Sequence, residues 1–402
     1  MNSKPCRAIL SLSLIPFLWQ PTLAQAWTHP GILDTTEDLD RVKSLVGSGQ
    51  EPWKTAFERF SEDSFSSSSY EMQGPFDYVC RDTDTSLLNG FTEFAEDSVA
   101  ALQTSLMWII TEDESFAKKS LEILNAWGET VKEVNGTDAQ LAAALDGSNL
   151  VNAAELIRAT YNSSQYPSGW ASADISTFTN MVTQVLVPPA SQTEPSEVQP
   201  YPFYANWGSS GEKFMLAAGV FTENTSLYEE AKDLILNSAC SNLSGSISPT
   251  GQNSESGRDQ AHTQLGLGNF VEAFTTLRNQ NDEQDWFSML SNRLATGLEY
   301  TAKFLQNETV PYDPSFYRCG ADLVGGPWDE ISSDDIYPPR PVYELGYAIY
   351  QDMGIELPFT KSLIELNTPD GQSPSSSVAD GSAFQTLRFR RGDSNLSSNI
   401  TT

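Results

Sequence analysis

Imidazole is scarce in this chain. Its 402 residues contain two histidines. His29 lies close to where a mature chain would begin, so acid–base chemistry that needs an imidazole in the interior falls to His262. The surrounding stretch is GQNSESGRDQAHTQLGLGN, residues 251–269. A helix starting near Gly257 and Arg258 would set Arg258 and His262 four residues apart on one face. Both would then lie in its first turns, where free N–H groups and the helix dipole favour anions. The same spacing also fits a structural histidine, with Arg258 paired to Asp259 or Glu255. A second stretch, YPFYANWGSSGEKF at 201–214, is rich in aromatics and leads into another helix at Asn206 and Trp207. It suits a ligand-facing loop, the alternative being a loop that buries Phe203 and Trp207.

Helices must position these residues. Val99, Leu102, Leu106, Ile109 and Ile110 recur at helical spacing, TEDES then breaks the chain, and Phe116, Ile123, Leu124, Trp127 and Val131 continue in a second helix. Further helices are predicted around 149–160, 171–186, 206–221, 225–239, 262–279, 285–306 and 341–353. They read as pairs joined by short polar turns. The one strand signal is AFQTLRFRR, whose partial alternation predicts a minor β element near the C-terminus. Ser- and Pro-rich stretches at 62–69, 188–200 and 368–378 read as surface loops. The class is all-α in one domain, and a ring of paired inner and outer helices would gather helix ends around a central cleft.

The first 26 residues read as a secretory signal peptide: Lys4 and Arg7, the apolar AILSLSLIPFLW, then Ala24-Gln25-Ala26 as a cleavage site. Triplets for N-glycosylation are headed by Asn135, Asn162, Asn224, Asn242, Asn307, Asn395 and Asn399. A secreted, monomeric glycoprotein is expected. Cys80, Cys240 and Cys319 remain after cleavage, enough for one bridge whose pairing the sequence leaves open. Their spacing matches no zinc site, so no metal or other cofactor is expected. The formal charge is −30, and loss of the signal peptide removes two bases and no acid. Such a surface repels nucleic acid and anionic membranes, and an anionic substrate would need a local positive island.

Several stretches together resemble the alginate-lyase-like α/α-toroid polysaccharide lyases, and are most similar to polysaccharide lyase family 38, the glucuronan lyases. They are HPGILDTTEDLDRVK, DSVAALQTSLMWIITEDESFAKKSLEILNAW, LVNAAELIRAT, NWGSSGEKFMLAAGVF, GQNSESGRDQAHTQLGLGN, NRLATGLEYTAKF and RPVYELGYAIY. The resemblance implies a toroid catalytic domain over 27–391, a polar tail over 392–402, and β-elimination of a polyuronate. That chemistry needs the uronate carboxylate neutralised, a base for the C5 proton and an acid for the departing O4. Alginate lyases of this fold carry a histidine where this chain has Trp207 and a tyrosine where it has His262. The resemblance therefore implies Asn206 as the neutraliser and His262 as the base or acid. Arg258 would bind the carboxylate or hold His262. Tyr300 is the expected tyrosine partner, with Tyr343 and Tyr204 as alternatives. Arg340 and Arg81 would meet neighbouring uronates, and Trp207 would stack on a sugar ring.

Glucuronan is the expected substrate, with the mannuronate stretches of alginate as the alternative. Two rivals share the fold. A glycoside hydrolase would need two carboxylates, with Glu255 and Asp259 as candidates. A binding protein would hold polyuronate and release nothing.

Overall fold

The computed structural model describes residues 26–191, 204–371 and 383–392. Helices dominate it. The chain opens with α1 (Thr36–Gly47) and α2 (Trp53–Glu62), then β1 (Tyr78–Cys80), α3 (Phe91–Thr111), α4 (Glu114–Thr130) and β2 (Glu133–Asn135). Next come α5 (Ala139–Leu141), α6 (Gly147–Thr160), α7 (Ser172–Met181), α8 (Val187–Ala190), α9 (Ala205–Thr222) and α10 (Thr225–Asn237). The last are α11 (Leu243–Ser246), α12 (Gln260–Asn279), α13 (Met289–Leu305), α14 (Tyr343–Asp352), α15 (Pro358–Leu366) and α16 (Gln385–Phe389).

Side-chain caps set many of the boundaries. Thr35 and Asp38 form a capping box on α1, Asp113 caps α4 after the left-handed Glu112, and Asn224 caps α10. The break read at TEDES is therefore the α3–α4 turn.

Two kinds of helix alternate. α3, α6, α9 and α12 are buried on nearly every face, as inner helices must be. α4 and α10 bury one face each, against α3 and α9. Neighbouring inner helices pack in the order α3, α6, α9, α12, and α14, α16 and α1 complete the circuit back to α3. A buried ion pair closes the seam, Arg388 to Asp34 at 2.6 Å, while Arg41 donates to the carbonyls of Arg388 and Arg390. Gln280, just past α12, ties down Thr28 and Gly31. The toroid expected from the sequence is the observed fold.

The predicted C-terminal strand is a helix instead. AFQTLRFRR folds into α16 because the half-buried Asp370 carboxylate accepts the N–H groups of Gln385 and Thr386, at 2.7 and 2.8 Å, and starts a helical turn. The β structure lies elsewhere, as the short parallel pair β1–β2. The helix predicted from 285 is also shorter. Leu290, Ser291 and Asn292 are left-handed, so regular α13 begins after them.

Among the glycosylation asparagines, Asn224 and Asn307 are exposed, and Asn135, Asn162 and Asn242 are half-buried. Asn395 and Asn399 lie outside the described residues, as does almost all of the predicted signal peptide. No described helix is long and apolar enough to cross a membrane.

One buried acid inside the ring yields a pH prediction. Glu212 on α9 is fully buried and accepts a hydrogen bond from Ser241 at 2.6 Å. Burial pushes its carboxyl up to about 8, with Ser241 opposing. The folded state thus binds a proton that the unfolded chain releases from about pH 4.5 upward, so this acid's contribution to stability is lost as pH rises from 4.5 towards 8. The slope is at most about 1.4 kcal/mol per pH unit. Glu212→Gln is expected to flatten the denaturation midpoint across that window, as urea titrations at several pH values would record.

Candidate active site

The N-terminus of α9 has no side-chain cap of its own. Ala205 turns the chain through a left-handed conformation, φ +48°, and its N–H donates to the Cys240 carbonyl at 3.1 Å. A non-glycine residue held there is strained, and such strain gathers at functional sites. The missing cap comes from a distant residue. Glu255 Oε2 accepts both the backbone N–H of Asn206 at 3.2 Å and its side-chain amide at 2.6 Å.

Glu255 is 1% exposed and carries two cations on its other oxygen, Arg258 Nη1 at 3.1 Å and Arg318 Nη1 at 3.3 Å. Burial alone would raise its carboxyl. Arg318, His262 and Arg258 outweigh that, together with the Asn206 amide, and hold it below the usual carboxylate range. A buried, ionised carboxylate therefore sits between the two helix starts.

The second helix start is α12, capped by Asp259. Its carboxylate accepts the His262 N–H at 2.7 Å and faces His262 Nδ1 at 2.7 and 2.8 Å. Burial raises the Asp259 carboxyl, but these bonds and the His262 charge bring it below the ordinary value. One side chain thus both caps the helix and orients the imidazole. The helix expected to start near Gly257 and Arg258 starts at Gln260: Arg258 precedes the cap, so it reaches Glu255 and Asp259 from the loop rather than standing one helical turn below His262. The ring of His262 is 33% exposed and the Arg258 side chain 21%. These are the groups of the cluster that face outward.

A long segment after α13 forms one wall. Asp313 and Phe316 carbonyls accept from Gln252, and the Arg318 N–H donates to Ser254. The Ser332 N–H donates to the Ser256 carbonyl, while the Asp334 carbonyl accepts the backbone N–H of Gln260 and the Ser332 carbonyl its side-chain amide. The Arg340 N–H donates to Gln264. A disulfide between Cys240 and Cys319 clamps this wall to the α9 side.

Gly257 is where wall and loop come closest. A Cβ there would collide with the Tyr312 hydroxyl and with Cβ of Trp328. Gly257→Ala is expected to cost about 1–3 kcal/mol of stability by overpacking. It should also cut kcat/KM about tenfold, because the wall must move away from Arg258. Melting and steady-state rates measured on one preparation check both.

A family profile described as alginate lyase matches residues 27–310. The chain belongs to the alginate lyase family. It is accordingly a polysaccharide lyase. Solved structures agree in fold. An alginate lyase from Bacteroides ovatus superposes with a TM-score of 0.59 at 13% identity, over 91% of this chain and 100% of that one. Alginate lyase A1-III from Sphingomonas species A1 gives 0.62 at 12% identity, over 90% and 98%. A tyrosine-to-phenylalanine variant of A1-III complexed with tetrasaccharide gives 0.61 at 11% identity, over 89% and 95%. No curated protein sequence matches the chain.

Within this lyase the residues named from the sequence separate into two groups. Asn206, Trp207, Tyr204, Arg258 and His262 come together around Glu255. Trp207 is half-buried and stacks on Tyr204, with centroids 5.7 Å apart, and Arg318 lies over the other aromatic partner's ring at 4.3 Å from the Tyr204 centroid. Asn206 departs from its expected role. It is buried and its amide is spent on Glu255, whereas Arg258 is a partly exposed cation of the cluster.

Tyr300 departs as well. It is buried, and its hydroxyl donates to the Pro311 carbonyl at 2.6 Å, so it braces the wall. Tyr343 is buried with its hydroxyl on Gln264. With Arg340 it lines a separate cavity of about 260 Å³ that also includes Arg59, Glu344 and Asp370. Arg81 lies over the Phe91 ring at the start of α3, at 4.9 Å, with Nη1 buried and unpartnered.

His262 is also not the more interior histidine. His29 is less exposed, with Nδ1 2.6 Å from Glu155 and beside Arg158. That network anchors the N-terminal segment to α6.

Sequence reasoning passed over Arg318. Its one signal was its place beside Cys319. Among the described residues no cluster of His, Cys, Asp and Glu suits a metal ion.

Proposed function

We propose that this lyase cleaves a β-1,4-linked polyuronate by β-elimination, leaving a 4,5-unsaturated uronate end, and that glucuronan is its substrate. The observation that carries the reading is an oriented, partly exposed His262 beside a partly exposed Arg258 at the start of α12.

Arg258 pairs with the uronate carboxylate and stabilises the charge that flows into it once C5 loses its proton. His262 acts neutral. Asp259 holds Nδ1–H, which leaves Nε2 as the base. The C5–H and C4–O4 bonds break, and a double bond forms between C4 and C5. In glucuronate the C5 proton and O4 lie on the same side of the ring, so the imidazolium can hand its proton to the departing O4. Trp207 supplies an apolar face for a sugar ring.

A hydrolase reading is disfavoured by charge. It requires one protonated carboxylic acid, and Glu255 and Asp259 are both held below the ordinary range. Glucuronan is favoured by the ESGRDQAHTQLGLGN stretch. Alginate is the second reading, favoured by the family match. Mannuronate differs from glucuronate at C2 alone, so the same groups serve either sugar. The signal-peptide reading of residues 1–26 and the Cys240–Cys319 bridge support work outside the cell.

The test is ultraviolet absorbance on incubation with glucuronan, alginate and pectate separately, with His262→Ala alongside. A rise on glucuronan that the variant lacks is the expected result. A rise on alginate alone reassigns the substrate. New reducing ends without absorbance, or silence in both assays, overturns the elimination.

A further inference from the structure

One carboxylate in this site has more cations than it needs. Glu255 Oε1 is shared by Arg258 and Arg318, and Oε2 is filled by Asn206. The two guanidiniums differ in how they are held. Arg318 is fully buried, donates through Nε to the Cys319 carbonyl at 3.0 Å, and lies over the Tyr204 ring at 4.3 Å. Its own N–H is fixed to Ser254, and its neighbour Cys319 is covalently tied to Cys240. Arg258 sits at the surface of the cluster, 3.1 Å from Glu255 and 3.5 Å from Asp259.

We propose that Arg318 is the standing counter-ion of Glu255, and that it frees Arg258 to exchange from Glu255 onto the carboxylate of the bound uronate. This rests on the elimination reading above. Arg318 is thus a positioning residue, acting through Glu255 on Arg258.

Charge balance supports the division of labour. Glu255 and Asp259 are matched by Arg258 and Arg318, so the empty site is neutral with a neutral imidazole. A uronate carboxylate adds one negative charge, and transfer of the C5 proton to His262 leaves that total unchanged, the imidazolium matching the second charge that forms on the enolate. Without Arg318, a buried Glu255 would have Arg258 as its remaining cation. Leaving a buried carboxylate unpaired is strongly unfavourable, so Arg258 would stay where it is.

The experiment compares Arg318→Met, Arg318→Lys and the double variant Arg318→Met with Glu255→Gln, by KM and kcat on the polymer the wild type cleaves. Arg318→Met should raise KM tenfold or more with a smaller fall in kcat. The double variant, with no buried charge for Arg258 to serve, should return KM to within about threefold of wild type. Arg318→Lys keeps the charge and should stay close to wild type, which preserves the test if Arg318→Met folds poorly. A double variant as impaired in KM as Arg318→Met, with melting temperatures near wild type, overturns the proposal. So does a loss confined to kcat. If the wild type eliminates no polyuronate, the functional reading fails separately. Calorimetric binding of oligoglucuronate to the same variants then decides the positioning claim by the same ranking.

Discussion

Replacing His262 with alanine should lower kcat on the preferred polyuronate by about a thousandfold, the middle of the range for loss of a general base. KM should change little, because Arg258 and Trp207 carry the ground-state contacts and His262 acts on a proton. Asp259→Asn separates orientation from folding. Asparagine is as good a helix cap as aspartate, so α12 should start unchanged. An amide, however, can offer its N–H to Nδ1 and leave the ring's proton on Nε2, the wrong tautomer for a base. Asp259→Asn should therefore lose kcat by about a hundredfold while its melting curve stays near wild type, since the reacting nitrogen of a general base must be free to accept. Rates of both variants on glucuronan, with circular dichroism melts, decide the matter. A His262→Ala enzyme within tenfold of wild type would move the base to another residue.

The helix pairs were legible because the inner helices carry long apolar runs and the outer helices α4 and α10 begin at local caps, Asp113 and Asn224. The residues gathered at the site were legible for a similar reason, since Asn206 and Trp207, and Arg258 and His262, cluster within short stretches. What failed was whatever a distant residue decides. α16 is a helix because Asp370, fifteen residues earlier, accepts the N–H groups at its start, which a short local pattern cannot reveal. Periodicity placed Tyr300 on a helix but not its hydroxyl on Pro311, and it could not see that Asn206 would be spent on Glu255. Arg318 lies in an irregular segment, and three-dimensional closure alone brings it under Glu255. The start of α12 was misjudged because Asp259 caps by folding its side chain forward to His262, and that excludes Arg258 from the helix.

Removing the Cys240–Cys319 bridge should act on stability and catalysis together. The two cysteines are 79 residues apart in sequence, and opening a loop of that size restores unfolded-state entropy worth about 4 kcal/mol. For a chain of this length that is a fall of roughly 5 °C in melting temperature. The catalytic effect follows from what the bridge joins. The Cys240 carbonyl accepts the Ala205 N–H at the strained start of α9, and Arg318 directly precedes Cys319. Cutting the bridge loosens both sides of Glu255 at once. The double variant Cys240→Ala with Cys319→Ala should thus lose about tenfold in kcat/KM even well below its melting point. Cys80 is buried in β1 and cannot take over the bridge. Calorimetry and steady-state rates at a temperature where both proteins are folded measure the two losses independently. A stability loss with unchanged kcat/KM would mean that the hydrogen bonds from Gln252, Ser254 and Gln260 hold the wall in register without the covalent clamp.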